Sequence, residues 1–246
     1  MTTSVRSISA AEFVAIMRQS FLLFFKRCWT WPLIMVLSFA PAFVGAALPA
    51  DPIVKKAFVY FGASLAGIIA SAYAVSRYKN NTLLQCVRQH GWALLGVALL
   101  GLLLSFMIWK CIELPALSLF ATASEMAVYA SDPVTDDAAP RLWIDALHTF
   151  IVVILSSPLS LATALVMMRG LAALPAALAS ARCFASNWLI FLVLALVTTF
   201  LHAFIQQPTW FFMIHLAIYI FIFTPILTIL GVIMADRMTE PARVSA

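Results

Sequence analysis

The chain has 246 residues, 64% of them hydrophobic and only 10% charged, with a mean hydropathy of +1.02 and a formal net charge of +5. A water-soluble domain of this length carries roughly 25% charge, so this composition excludes an ordinary soluble globular protein. The apolar residues come in runs rather than in narrow stripes, which makes hydrocarbon the expected solvent for most of the chain.

From the N-terminus, Ser9-Ala10-Ala11-Glu12 fits a capping box, with Glu12 three residues after the capping serine. Behind it, Phe13, Ile16, Met17, Ser20, Phe21 and Phe24 recur at helical spacing. This predicts an amphipathic helix over 9–27, lying in the headgroup layer. Arg6, Glu12, Arg18 and Gln19 interrupt the opening, so no cleavable signal peptide is expected, and no lipidation motif is visible. Lys26, Arg27, Trp29 and Trp31 mark an interface, where basic and indole side chains anchor best.

Six apolar segments follow, at about 31–50, 57–76, 92–112, 143–168, 187–206 and 210–235. Each approaches or exceeds the about 20 residues needed to cross about 30 Å of hydrocarbon. Pro32, Pro41 and Pro49 punctuate the first. In the second, Gly62, Ala63, Ala66, Gly67, Ala70 and Ser71 form a small-residue face that predicts close helix contact. A short inner-face helix is expected before the third segment, from Thr82 to His90, entering through Trp92. Another is expected before the fifth, from Leu171 to Asn187, entering through Trp188. With the opening helix these make a three-fold pseudo-repeat of entry helix and hairpin, which convergent membrane-entry chemistry explains as well as duplication. The one long loop, 113–142, starts apolar and turns acidic from Ser131 to Asp137. No extramembrane domain has room to fold, which excludes a soluble catalytic or nucleotide-binding module. No phosphate-loop motif occurs, and no nucleic-acid partner is expected.

Charge sets the orientation. Eleven Lys and Arg flank one side of these segments, and only Lys55, Lys56, Lys110 and Arg141 flank the other. The acids run oppositely, with Glu12, Asp236 and Glu240 on the basic side and seven on the other. The positive-inside rule then places both termini in the cytoplasm, with an even number of crossings. A basic inner face attracts anionic lipids at about 1 kcal/mol per well-placed residue.

Few residues carry candidate chemistry. Asp145 and His148 lie three apart near the outer end of the fourth segment, as an interface ion pair or a proton or ligand site. Ser156-Ser157-Pro158-Leu159-Ser160 stands near mid-membrane. Proline frees a carbonyl that serine hydroxyls can satisfy, and the result is either a plain kink or a broken-helix binding site. Thr224-Pro225 offers the same choice in the sixth segment. His215, with His202, Gln206 and Gln207, could add a polar cluster on the outer side or simply pack between helices. Cys28, Cys86, Cys111 and Cys183 show no metal spacing and no disulfide pairing suited to the topology; small packing residues are expected. With no buried carboxylate pair, metal triad or nucleophile elbow, neither catalysis nor a cofactor is expected.

From Ala164-Leu165-Val166-Met167-Met168 through Leu174 and Ser180 to Asn187, the chain resembles the YciC-like group of six-helix bacterial inner-membrane proteins. The stretch from Phe13 to Pro32 resembles that group's opening helix leading into the first span. The resemblance implies a bacterial inner-membrane protein without assigned catalysis and supplies no functional residues. The opening also resembles ABC exporter permeases, although Ser76-Arg77-Tyr78-Lys79-Asn80 departs from their usual stretch after span two. The expectation is an all-α, polytopic integral membrane bundle over residues 1–246, non-enzymatic, an accessory or scaffold component with a place in lipid or envelope homeostasis. Alternatives are an ABC-type permease subunit and an immunity-type protein that binds a membrane-active toxin. A homo-oligomer or other membrane proteins are the conceivable partners besides lipid.

Overall fold

The computed structural model describes residues 4–47, 52–79, 82–113, 115, 142–205, 214 and 217–240. Most of the loop 113–142, His215, Gln206, Gln207 and the C-terminal tail lie outside the described residues. Among the described residues the fold is all-α apart from one short strand pair. In order it runs β1 (Ser4–Val5), α1 (Ala10–Phe25), α2 (Thr30–Ala47), α3 (Pro52–Tyr78), α4 (Leu83–Ile108), α5 (Leu142–Ser156), α6 (Ala162–Arg169), α7 (Ala173–Ser186), α8 (Trp188–Ile205), α9 (Thr224–Met238) and β2 (Thr239–Glu240). A π-helical turn, Trp109–Glu113, extends α4, and another, Tyr219–Phe223, leads into α9. Each of the six expected apolar segments is helical over most of its described length.

The expected capping box is present. The Glu12 amide donates to Ser9 Oγ at 3.2 Å, and the Ser9 amide donates to Glu12 Oε2 at 2.9 Å. An unforeseen second box opens α4: the Gln85 amide donates to Thr82 Oγ1 at 3.3 Å, and the Thr82 amide to Gln85 Oε1 at 3.4 Å. Proline is tolerated where a helix begins, because the first amides have no internal partner. Pro52 opens α3 in this way, and α2 continues as one helix through Pro41.

Two corners organise the chain. α1 meets the following helix at 95°, and α7 meets α8 at 91°. These are the expected entry helices at the first and fifth segments. The expected separate helix over Thr82 to His90 is not found. Those residues form the opening turns of α4, which runs unbroken through Gly91 and Gly96. Glycine weakens a helix by about 1 kcal/mol without ending it unless the backbone turns left-handed. That turn occurs instead at Gly170, φ +65°, which closes α6 with its amide on the Val166 carbonyl at 2.9 Å. Gly96 serves close packing: a Cβ there would stand 2.7 Å from Ala173 Cβ.

The fourth segment is broken. α5 stops at Ser156, a tight 3-10 turn spans Ser157–Leu159 with Pro158 in it, and α6 resumes at Ala162. The serines do what a proline break requires. Ser157 Oγ donates to the Val153 carbonyl at 2.7 Å, Ser156 Oγ to the same oxygen at 3.2 Å, and Ser160 Oγ to the Ser157 carbonyl at 2.7 Å. Pro225 produces the matching defect at the start of α9. There Thr224 Oγ1 donates to the Tyr219 carbonyl at 3.0 Å, and Thr228 Oγ1 to the Thr224 carbonyl at 2.8 Å.

The core sits toward the end of the bundle that holds both termini. It is built from the second half of α3, all of α6, one face of α7 and most of α9. Of the small-residue face on α3, Gly62, Ala66 and Ala70 are buried at i, i+4 spacing, whereas Ala63 and Gly67 are exposed. α1 lays Ile16, Ser20 and Phe24 against the bundle and leaves Val14, Phe21 and Phe25 uncovered.

The uncovered surface is apolar. Leu33, Leu37 and Val44 on α2, Leu99, Leu103 and Met107 on α4, and Leu189, Val193 and Phe200 on α8 are all exposed. Soluble monomers rarely expose such continuous apolar faces. Among the described residues, 87–112, 149–169 and 219–238 are each long and apolar enough to cross a membrane, and the two bent pairs raise the number to as many as five.

Candidate functional site

The kinked α5–α6 pair, the π-turn and α9 that follows it, α3 and α8 line a partly open cavity of about 320 Å³, whose wall residues Gly67 and Ser160 are exposed. Ser157, Ser160 and Leu161 line it from the break between α5 and α6; Tyr219, Thr224 and Thr228 line it from the break leading into α9. Gly67 and Ser71 of α3 form a third wall, and Phe191, Ala195 and Thr198 of α8 a fourth. The two proline defects therefore face one space.

Of the sequence-predicted residues, Ser157 and Thr224 meet at this cavity. Ser156 does not line it; its hydroxyl donates to the Val153 carbonyl at 3.2 Å. Asp145 and His148 lie on α5, whose backbone is described there but not their side chains, and His215 is outside the described residues. Thr198 and Thr228 were not foreseen. The i, i+4 repeat Thr224-x-x-x-Thr228 was the available signal for one of them, since it puts both hydroxyls on the face beside Pro225.

Four of the hydroxyls that line the cavity are satisfied within their own helices. Ser157, Ser160, Thr224 and Thr228 each donate their only proton to a backbone carbonyl of their own helix. They keep acceptor lone pairs toward the space but offer no donor. Among the described residues no charged side chain lines it. A desolvated ion needs a partner charge or several aimed dipoles, so the site favours a neutral, mainly apolar occupant. Its volume is about ten times that of a water molecule. Among the described residues no three His, Cys, Asp or Glu side chains converge as metal ligands would.

A second constellation locks the end of the bundle that carries both termini. β1 pairs antiparallel with β2, Val5 opposite Thr239 and Ser4 opposite Glu240, and the Arg6 amide donates to the Met238 carbonyl at 2.9 Å. Buried Asn187, at the α7–α8 corner, accepts from the Ile8 amide at 2.8 Å and donates to the Cys183 carbonyl at 3.0 Å and the Arg6 carbonyl at 3.3 Å. Arg169, closing α6, pairs with Asp236 at 3.2 Å and donates to Thr239 Oγ1 at 3.3 Å and to the Thr239 carbonyl. Asp236 also accepts from Tyr78 at 2.9 Å. Burial, and then the Asp236 carboxylate, push the Tyr78 hydroxyl above its ordinary range. Burial alone pushes the Cys183 thiol up to about 11, which leaves it protonated and unreactive at neutral pH.

Nearby, Tyr73 holds the start of α2. Its ring meets Trp31 edge-on at 4.8 Å, its hydroxyl bonds to Thr30, and the Arg77 guanidinium stands 4.9 Å above its face. This separates the two tryptophans, Trp29 and Trp31, that the sequence marked together for an interface. Trp31 is 2% exposed and Trp29 is 90% exposed, so Trp29, with exposed Trp92 and Trp188, is the one free to anchor at an interface.

Comparison with protein-family models, with characterised proteins and with solved structures finds no match.

Proposed function

We propose that this chain is a six-span protein of a bacterial inner membrane, both ends cytoplasmic. It acts without catalysis, as an accessory component in lipid or envelope homeostasis that holds a stretch of neutral lipid chain between its broken helices. The carrying observation is the cavity of about 320 Å³, in which the Ser157, Ser160, Thr224 and Thr228 hydroxyls have spent their protons on their own helices and which no described charged side chain faces. Hydrocarbon suits a space that is mostly apolar and carries no charge, because an ion there would lack a partner.

Several features support the membrane reading. The β1–β2 pairing brings residues 4–5 and 239–240 side by side, as an even number of crossings would. Six apolar segments are helical, and α3, with 27 residues, is about 40 Å long. The right-angle corners at α1 and α7 suit helices lying in a headgroup layer before helices that cross. The excess of basic residues on one side supports the cytoplasmic placement.

Gly67 offers the test, because it lines the cavity and a Cβ there would meet nothing within 4 Å. Native mass spectrometry of the full chain from nanodiscs should find a retained lipid on the wild type and on Gly67→Ala. Gly67→Phe, which fills the space, should lose it. A wild type that carries no lipid, or a Gly67→Phe chain that keeps it, refutes the proposal. The paired helix breaks also favour a second reading, a transporter permease, since broken helices build many transport sites. That reading requires an ATPase subunit that copurifies and is stimulated by this chain.

A further inference from the structure

The first turns of α4 and the turn joining α6 to α7 enclose a recess of about 590 Å³ on the outside of the bundle. Arg88, Gln89, His90 and Trp92 line one side; Gly170, Leu171 and Ala172 line the other. Close contact between Gly96 and Ala173 fixes the two walls, and Gly170 lies in van der Waals reach of the His90 ring, its Cβ position 3.9 Å from His90 Cε1. Neither of the described ion pairs, Arg6–Glu12 and Arg169–Asp236, engages Arg88. Among the described residues no acidic side chain lines the recess. Its donors are a guanidinium, an amide, an imidazole and an indole N–H. The opening of α7 adds to them, because its cap residue Ala172 supplies no side-chain hydrogen bond to the first amides.

We infer that this recess binds the phosphate of an anionic lipid headgroup. Arg88 would hold the phosphate oxygens as a charged fork, and Gln89 and His90 would add further N–H donors. The surrounding surface favours lipid over a free phosphate ion. Trp92 is 88% exposed beside the recess, and Leu84, Leu95 and Leu99 continue as uncovered apolar residues along α4. A headgroup seated at Arg88 therefore has a bare apolar track for its acyl chains, where a free anion has no use for one. The inference rests on the membrane reading above and goes beyond it by naming one site and one headgroup chemistry.

The test compares phosphatidylglycerol with phosphatidylcholine on the full chain in detergent, by native mass spectrometry titration. The wild type should prefer the anionic lipid, and Arg88→Gln with His90→Gln should weaken that preference by about tenfold, the loss of roughly one charge-assisted contact. Arg18→Gln, which removes an exposed basic residue on α1 outside the recess, should leave it unchanged. Equal binding of the two lipids, or equal losses from both variants, overturns the assignment. Inorganic phosphate alone should displace the lipid poorly; displacement at matching concentrations assigns the recess to a free anion and overturns the lipid claim. A chain that stays dispersed without detergent would instead sink the membrane reading itself, so the two failures are distinguishable.

Discussion

Replacing Asn187 by alanine removes three hydrogen bonds at one buried point. The Ile8 amide loses its acceptor at 2.8 Å, and the Cys183 and Arg6 carbonyls lose donors at 3.0 and 3.3 Å. Leaving a buried polar group without a partner costs about 1–3 kcal/mol. The Ile8 amide has a single proton to place, whereas a carbonyl oxygen has two lone pairs and tolerates the loss of one donor better. The expected total is therefore about 3 kcal/mol, concentrated on the attachment of β1. For a chain of this size that lowers the melting temperature by about 6–12 °C. Circular dichroism of the detergent-solubilised protein measures the shift. Cys183 gives a local readout, because it is buried in α7 one turn before Asn187. Its reaction with a thiol reagent should quicken in Asn187→Ala as the corner opens. Asn187→Asp keeps the acceptor for Ile8 but turns a carboxylate toward two carbonyls, and should be at least as destabilised. An Asn187→Ala chain with unchanged melting and unchanged Cys183 reactivity would refute the claim that this side chain fastens the N-terminal strand.

Three further outcomes follow from the same geometry. Gly96→Val should lower stability by about 1–3 kcal/mol through overpacking against Ala173, measured by thermal melting, while Gly91→Ala, where a Cβ meets nothing within 4 Å, should be tolerated. Arg169→Gln strands the half-buried Asp236 carboxylate and should cost about 2 kcal/mol, with Asp236→Asn in the same background recovering part of it in a double-mutant cycle. Glu12 is held below the usual carboxylate range by the Ser9 amide and then by Arg6. Its stabilising effect is therefore complete above the unfolded-state carboxyl pKa and is lost as pH falls through the lower folded value. The melting difference between wild type and Glu12→Gln should shrink on acidification and persist at neutral pH.

Local chemistry was legible in the sequence. The Ser9–Glu12 box, the helical character of the apolar segments over their described residues, the break at Pro158 and the helix defect before Pro225 depend on residues within one or two turns, and they stand where the spacing puts them. Long-range relations were not legible. Nothing local distinguishes Trp29 from Trp31; their fates differ because Tyr73, some 40 residues away, receives one of them. The β1–β2 pair joins the two ends of the chain, and strands of two residues carry no periodicity. The separate entry helix before α4 failed because Trp92 was read as the start of a new segment, whereas nothing interrupts the backbone there and one helix runs through it. The cavity was half visible: Ser157 and Thr224 were marked by their prolines, but that both breaks face one space is a property of packing alone.

The central claim is that lipid surrounds these helices and that both ends share one face. Single cysteines placed at residues 80, 132 and 240 in a cysteine-free chain, probed with a membrane-impermeant thiol reagent in intact cells, test it most directly. Label should reach position 132 from outside, and positions 80 and 240 only after the membrane is opened. Labelling of 80 and 240 from opposite faces would contradict the account.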